Sequence, residues 1–367
     1  MIFFVRSCLA SYDSRIHKYF QCLQNAGLSF KFVGWRRGDD NYSPQNDEII
    51  YLLNGRLGGG WRNLYSLIKW NFFLFFTLVS HRKEIKIVHV VDLDSAFVCN
   101  VFCRIFRKKI IFDIYDKYTA VRNISGIVGR IVDSIELSIA KSADLTILAG
   151  LTRYRQLGLD KLPSNFIVLE NVPAAQIAKE MMPQNFDKIR LGYFGVLEPY
   201  HRGLEDLMSV VSVNPEFELH VAGYGGLLDE VNKYVKSFSN IHYHGILNSK
   251  NGLKLMSEMH VIIGMYYLSV PNHYYASPNK YYEHLMLGRG LLTTRGTSPG
   301  EGVRENGTGW AIAEGQEAIS VWLKQLNSDS INAAGEAAHA VWVKQYIDYF
   351  QKSYNELYLV RVRSMLA

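Results

Sequence analysis

The sequence predicts an α/β protein made of two doubly wound parallel sheets, one following the other along the chain. Three observations carry that expectation. Short apolar runs rich in β-branched residues alternate with segments of helical periodicity, the pattern of strands covered on both faces. The alternation breaks at residues 171–188 (NVPAAQIAKEMMPQNFDK), where two prolines and mixed polarity mark a linker, and then restarts. At 367 residues the chain is too long for one ordinary core. The expected division is an N-terminal domain over 1–173, a second domain over 174–345, and a C-terminal helix over 346–367 that can return to the first. Ligands of such sheets bind beyond the carboxyl ends of the strands, so a cleft faced by both domains is the expected site.

In order, Ile2–Arg6 reads as a buried strand, and Ser11–Ala26 as a helix (Ile16, Tyr19, Phe20, Leu23) stopped by Gly27. Ser29–Trp35 and Glu48–Asn54 read as strands, Gly55–Gly60 as a glycine-rich turn. Trp61–Ser80 is a long helix, apolar over much of its circumference. It is a core helix, or else one whose aromatic edge rests on a membrane surface with Arg56, Arg62, Lys69, Arg82 and Lys83 nearby. Strand Lys86–Val91, helix Ser95–Phe106, strand Lys109–Ile114, helix Ile124–Ala140, strand Ala143–Leu148, helix Thr152–Leu157 and strand Ser164–Leu169 complete the first half. The second half reads as strand Ile189–Val196, helix Gly203–Val213, strand Glu218–Ala222, helix Gly226–Lys236 and strand Ile241–His244. Helix Gly252–Met259, strand Val261–Gly264, a helix after Ser277, strands Leu291–Thr294 and Gly309–Ala313, helix Glu317–Leu326 and helical Ile331–Val362 follow.

Composition is globular, with 48% hydrophobic and 20% charged residues. Four cysteines without a CxxC pair argue against a disulfide frame or a thiolate zinc site, and suit reduced core residues of a cytosolic protein. The N-terminal run lacks the basic leader of a signal peptide, and the longest apolar stretch, Trp70–Val79, is about half of what a bilayer crossing needs. Charge is uneven: +8 over residues 1–180 (24 basic against 16 acidic) and −2 over 181–367 (16 against 18). A basic first half suits nucleic acid, an anionic membrane surface or a phosphorylated acceptor, without choosing among them.

The most informative stretch is Ala276–Gly296, ASPNKYYEHLMLGRGLLTTRG. Ser277 is a good N-cap, Pro278 suits the first helical position, and Gly288 offers a stop. Lys280 is the oddity, because a cation in the first turn opposes the helix dipole unless an anion sits above it. Glu283 lies on the same face, one turn deeper. Lysine for a diphosphate and glutamate for a ribose diol would clamp a nucleotide sugar; a solvated helix with an i,i+3 ion pair is the plainer reading. Nearby, Gly195 ends a strand that leads to Arg202 at a helix start. Val221-Ala222-Gly223-Tyr224-Gly225-Gly226 lets backbone N–H groups approach an anion. His242 and His244 form an i,i+2 pair that, with no carboxylate or cysteine nearby in sequence, reads as structural rather than metal-binding.

These residues resemble, in order and spacing, the nucleotide-binding domain of GT-B glycosyltransferases, in particular the family 4-like branch of bacterial polysaccharide assembly. The likeness spans 189–313: Gly195, Arg202-Gly203-Leu204, Val221-Ala222-Gly223, His244-Gly245 and the SPNK-x-x-E segment Ser277–Gly288. Weaker echoes lie in the first half at Asp13-x-Arg15, Val88–Asp94 and Phe112–Asp116. The resemblance implies a GT-B fold in which Arg202 and Lys280 bind the donor diphosphate, Gly195 gives it room and Glu283 holds the ribose. Ser277, Pro278 and Asn279 would complete the helix start, with Gly223, Tyr224, Gly245 and Ile246 lining the base slot.

Such a site needs no metal, since two cations and a helix N-terminus oppose the charge of the departing nucleoside diphosphate. No cofactor is expected beyond a UDP- or GDP-linked sugar as co-substrate. The chain departs from the retaining relatives at Tyr275, where they carry a second glutamate, at Val196, where an arginine is frequent, and at Tyr115, where a histidine is frequent. Asp116 is therefore the first candidate for a general base, followed by Asp113 and Asp94; for Asp116 a helix cap or an ion pair with Lys117 is the competing role.

The expected function is transfer of a sugar to a glycan or polyprenyl-diphosphate-linked acceptor in bacterial surface-polysaccharide synthesis. The protein would work in the cytoplasm or at the cytoplasmic face of the inner membrane. Arg56, Arg62, Lys69, Arg104, Arg107, Lys108 and Lys109 would meet the anionic surface. A nucleotide-sugar epimerase or hydrolase of the same fold is the alternative enzyme, and a non-catalytic nucleotide-binding partner the alternative without turnover. A nucleic-acid module lacks a reading motif.

Overall fold

The computed structural model describes residues 1–38, 43–53, 61–174 and 187–367. The turn expected at Gly55–Gly60, Arg56, the Arg62 side chain and most of the expected linker lie outside what is described. The chain forms two compact units, Met1–Glu170 with Phe350–Ala367, and Asn171–Tyr349.

The first unit runs β1 (Ile2–Arg6), α1 (Ser14–Asn25), β2 (Phe30–Arg36), β3 (Glu48–Leu52), α2 (Trp61–Ser80), β4 (Ile87–Val91) and α3 (Leu93–Phe106). It continues through β5 (Lys109–Ile114), α4 (Tyr118–Arg122), α5 (Gly126–Ser142), β6 (Leu145–Leu148), α6 (Arg153–Gln156) and β7 (Phe166–Val168). Seven parallel strands lie in the order 3-2-1-4-5-6-7, so the winding direction reverses between β1 and β4. The strands other than β3 are largely buried on both faces because their residues are mostly apolar; Ile2 to Val5 and Ile87 to Val90 are fully closed to solvent.

One polar cluster interrupts this apolar interior. Asp113 on β5 accepts from Arg15 Nε (3.2 Å), Arg15 Nη2 (3.2 Å) and the Tyr19 hydroxyl (2.6 Å). His89 Nε2 stands 3.7 Å from the same carboxylate, while its Nδ1 meets the Tyr358 hydroxyl at 3.0 Å. Tyr358 closes a run of π-helical turns, Phe350–Tyr358, that belongs to this unit. The cluster therefore ties α1, β4, β5 and the chain terminus together through a fully buried, fully paired charge.

The second unit runs β8 (Ile189–Val196), α7 (Leu204–Ser212), β9 (Phe217–Tyr224), α8 (Leu228–Ser237), β10 (Ile241–Tyr243), α9 (Ser249–Ser257) and β11 (Val261–Gly264). Then come α10 (Asn279–Leu287), β12 (Gly290–Thr294), α11 (Ser298–Asn306), β13 (Gly309–Ile312), α12 (Gln316–Gln325) and α13 (Ser328–Val341). Six parallel strands lie in the order 10-9-8-11-12-13, reversing between β8 and β11.

Four elements differ from the sequence expectation. The first helix starts at Ser14, where Asp13 caps it by accepting from the Arg15 and Ile16 N–H groups, so Ser11 lies in a preceding turn. α4 and α11 were not expected. In α11 three small or cyclic residues, Pro299, Gly300 and Gly302, conceal a helix that Thr297 caps by accepting from the Gly300 N–H at 3.1 Å. The single helix expected over 331–362 is α13, two runs of π-helical turns and α14 (Leu359–Leu366).

Candidate functional site

In the second unit the candidate donor residues gather at the carboxyl ends of β8, β9 and β11, on either side of the winding reversal, where ligands of such sheets bind. Gly195, near the end of β8, has φ +134, a conformation open to glycine alone, and a Cβ there would stand 3.6 Å from Lys280 Nζ. A Cβ on Gly223 would run into the Gly195 carbonyl, so the close approach of β8 and β9 needs glycine at this level. α10 begins one residue later than its sequence suggests. Pro278 is the N-cap and makes no side-chain cap bond, while the Ser277 hydroxyl turns to the Tyr282 hydroxyl at 3.2 Å. Asn279 and Lys280 are thus the first two helical residues, with no acidic side chain in that turn. Asn171 Nδ2 donates to the Ser277 carbonyl at 2.7 Å and holds the approach to the helix.

Lys280 and Arg202 form the electrostatic centre of this end of the sheet. Arg202 reaches back from the turn before α7, its Nε 2.9 Å from Glu198, with its guanidinium 4.7 Å from the centre of the Tyr266 ring. The Lys280 ammonium lies 4.4 Å from the centre of the Tyr193 ring. Loss of water, together with the Arg202 charge, pushes the Lys280 pKa down to about 7, against a smaller upward pull from Glu283. Two cations therefore repel one another beside an uncapped helix N-terminus, an arrangement that an oxyanion would relieve. Glu283 lies one turn along α10. Tyr224 and Ile246 are exposed at the ends of β9 and β10, and the Gly245 carbonyl accepts from the Gly223 N–H at 2.9 Å.

In the first unit the three carboxylates expected as bases have different surroundings. Asp116 is the most open, 42% exposed, and its ion pair is with Arg153 at 2.7 Å; Lys117, the partner expected from sequence, pairs with Asp133 instead. Asp113 is closed to solvent, and burial notwithstanding, Arg15 and His89 hold its pKa below the usual carboxylate range, so it is a core counter-charge and no base toward a substrate. Asp94 is nearly buried, bound by Arg122 at 2.7 Å and by the Ser7 hydroxyl at 3.0 Å, and so presents far less open surface to an acceptor hydroxyl than Asp116 does. The Asp13-x-Arg15 echo is likewise accounted for by a helix cap and the Asp113 pair.

Sequence reasoning passed over Asp92. It follows β4 directly, at the winding reversal, with φ +56 and ψ 163, a conformation costly for any residue but glycine. Its Oδ1 accepts from the Tyr115 N–H at 3.0 Å. Burial raises its pKa to about 7; Arg6 opposes the rise, and Asp116 and Asp94 add to it. Its place directly after KIVHVV was the available signal, since the residue leaving a central strand at the reversal faces the ligand side.

α2 and α3 add an apolar groove of 480 Å³ lined by Leu67, Ile68, Phe72, Phe76, Asp94 and Phe97. Trp70, Leu74 and Leu78 bury the inner face of α2, whereas Phe72 and Phe76 are 62% and 66% exposed on the outer one. The basic residues Arg104, Arg107, Lys108 and Lys109 collect at the far end of α3, about 20 Å from Asp94 along a 14-residue helix, and Lys109 is tied to Asp144 at 2.8 Å. Among the described residues no helix is long and apolar enough to cross a membrane.

No family model matches the sequence, and no curated protein is significantly similar to it. Solved structures are similar along the whole chain. Anabaena HepE in complex with UDP has a TM-score of 0.68 at 11% identity, covering 99% of both chains. Sucrose-phosphate synthase from Thermosynechococcus elongatus has a TM-score of 0.71 at 12% identity, covering 100% of this chain and 98% of its own. A protein from Listeria monocytogenes provisionally named as a UDP-N-acetylglucosamine 2-epimerase has a TM-score of 0.64 at 14% identity, covering 100% and 96%. The chain has the fold of these proteins, two Rossmann-like domains of the GT-B type.

Proposed function

We propose that the protein is a glycosyltransferase that takes a sugar from a nucleoside-diphosphate donor and passes it to a glycan or lipid-linked acceptor, in bacterial surface-polysaccharide assembly as the sequence resemblance implies. The observation that carries the reading is the pair Lys280 and Arg202, two cations held close to aromatic rings at an uncapped helix start, with glycines where backbone and ligand must approach. A diphosphate answers that charge. As the glycosidic bond breaks, negative charge grows on the departing nucleoside diphosphate, and both cations and the α10 N–H groups stabilise it without reorganising. That charge is supplied by the chain, so the reading assigns the donor site no metal. Glu283 would take the ribose hydroxyls, and Tyr224 and Ile246 would flank the base. The UDP carried by Anabaena HepE, on the same fold, supports a nucleotide of this class.

Asp116 is the proposed base toward the acceptor hydroxyl, because it combines exposure with a fixing ion pair; Asp92, whose charge couples to it, is its proposed neighbour in that task. The aromatic groove between α2 and α3 fits an isoprenoid chain better than a glycan and supports a lipid-linked acceptor. A thermal-shift panel of UDP, GDP and their sugars tests the donor site: a ligand at 100 times its Kd stabilises by about 2.7 kcal/mol. Lys280→Ala and Glu283→Ala should each erase the response, and a response that survives both rejects the site. Conversion of the nucleotide sugar with no acceptor present would favour the epimerase or hydrolase reading instead.

A further inference from the structure

Parallel pairing of β9 with β10 assembles a cluster that neither strand shows alone. The register sets His220 opposite His242, and side chains two residues apart on a strand share a face. Glu218, His220, His242 and His244 therefore lie together on the face opposite Leu219, Val221 and Ile241, which point into the core. The His220 and His242 rings are 4.8 Å apart between centres. His220 Nδ1 and His244 Nε2 share a hydrogen at 3.0 Å. His220 Nε2 is buried with no hydrogen-bond partner among the described residues, and Glu218 Oε2 stands 3.8 Å from it. The other Glu218 oxygen is held by Lys188 at 3.1 Å. The sequence reading of His242 and His244 as structural rested on the lack of a carboxylate nearby, and the neighbouring strand supplies one.

We propose that Glu218, His220 and His242 bind a divalent transition-metal ion, zinc being the ion this donor set fits best, and that His244 orients the His220 ligand. One ligand atom from each of the three lies within 4.8 Å of the others. A tetrahedral zinc ion holds its donors about 3.3 Å apart, so side-chain rotations of about an ångström close the set. Two imidazoles and a carboxylate leave the fourth position to water. With Nε2 on the metal, the proton stays on Nδ1 and is donated to His244, the outer-sphere bond that metal-bound histidines usually make. The ion would pin the three-residue strand β10 to β9. This site stands apart from the sugar-transfer reading and does not depend on it.

The test is calorimetric titration of ZnCl₂ into the full chain, its affinity tag removed and its metal stripped by chelator. One saturable site is expected, with a higher melting temperature on loading. His242→Ala, on the edge strand β10, and Glu218→Gln, a near-isosteric change near the start of β9, should weaken binding at least tenfold, and His244→Ala by about 10- to 100-fold. Cobalt should give the intense visible bands of a tetrahedral site in the parent and not in His242→Ala. The absence of a saturable site would overturn the proposal, as would unchanged zinc affinity in a His242→Ala protein whose circular dichroism matches the parent.

Discussion

Between pH 6 and pH 8 the affinity for a nucleotide sugar is expected to fall about tenfold. Without ligand the Lys280 amine has a pKa of about 7, because it is cut off from water and faces Arg202. A bound diphosphate brings two negative charges and returns the amine to at least its ordinary value of about 10.4. The bound state then holds the proton throughout this range, while the free state releases it above pH 7. Binding therefore weakens in proportion to 1 + 10^(pH − 7), a factor of about 1.1 at pH 6 and about 11 at pH 8, or about 1.4 kcal/mol. At pH 7 about half a proton is taken up per ligand. The assay is calorimetry in two buffers of different ionisation enthalpy, using the sugar-linked nucleotide because its esterified diphosphate does not titrate in this range. Lys280→Met should bind weakly with no proton uptake. It should also stabilise the ligand-free protein near pH 6, by about 1 kcal/mol or more, since it removes a cation that folding disfavours. Affinity that is flat from pH 6 to 8, or a Lys280→Met protein less stable than the parent, would refute the reasoning.

Four further outcomes follow from the geometry. Asp113→Asn leaves the Arg15 guanidinium buried without its counter-charge, and urea unfolding should show a loss of about 3–5 kcal/mol; near-parent stability would contradict the core role. Asp116→Asn should lower kcat for transfer by about 10²- to 10⁴-fold and leave the donor-induced thermal shift unchanged, and equal turnover would place the base elsewhere. Gly223→Ala puts a methyl group against the Gly195 carbonyl at φ +145; it should cost about 1–3 kcal/mol in stability and at least tenfold in donor affinity, both read from thermal shifts. Phe72→Ser with Phe76→Ser should raise KM for a lipid-linked acceptor and leave KM for a soluble glycan acceptor alone; equal effects on both would remove the groove from acceptor binding.

Fold class and strand positions are legible in the sequence because parallel strands buried on both faces are near-continuous apolar runs, as Ile2–Val5 and most of Ile87–Val91 are. α11 is hidden because Pro299, Gly300 and Gly302 lower its local helix propensity, while the Thr297 cap and the burial of Pro299, Gly300 and Val303 favour it. Lys280 stands out because a cation at a helix start is a local contradiction. Asp92 does not, since its strained backbone and its neighbours Arg6 and Asp116 are set by tertiary structure. Asp113 shows the converse: FDIYD offers two aspartates three residues apart, and only the packing of Arg15 and Tyr19 from α1 shows which is core. The histidine cluster is invisible for the same reason, since strand register and not spacing joins His220 to His242.

The most direct measurement of the central claim is a crystal structure of the chain with a bound nucleoside diphosphate. The account predicts both phosphates at the start of α10, within hydrogen-bonding distance of Lys280 Nζ and the Arg202 guanidinium. A nucleotide bound elsewhere, with no ligand beside these two cations, would contradict it.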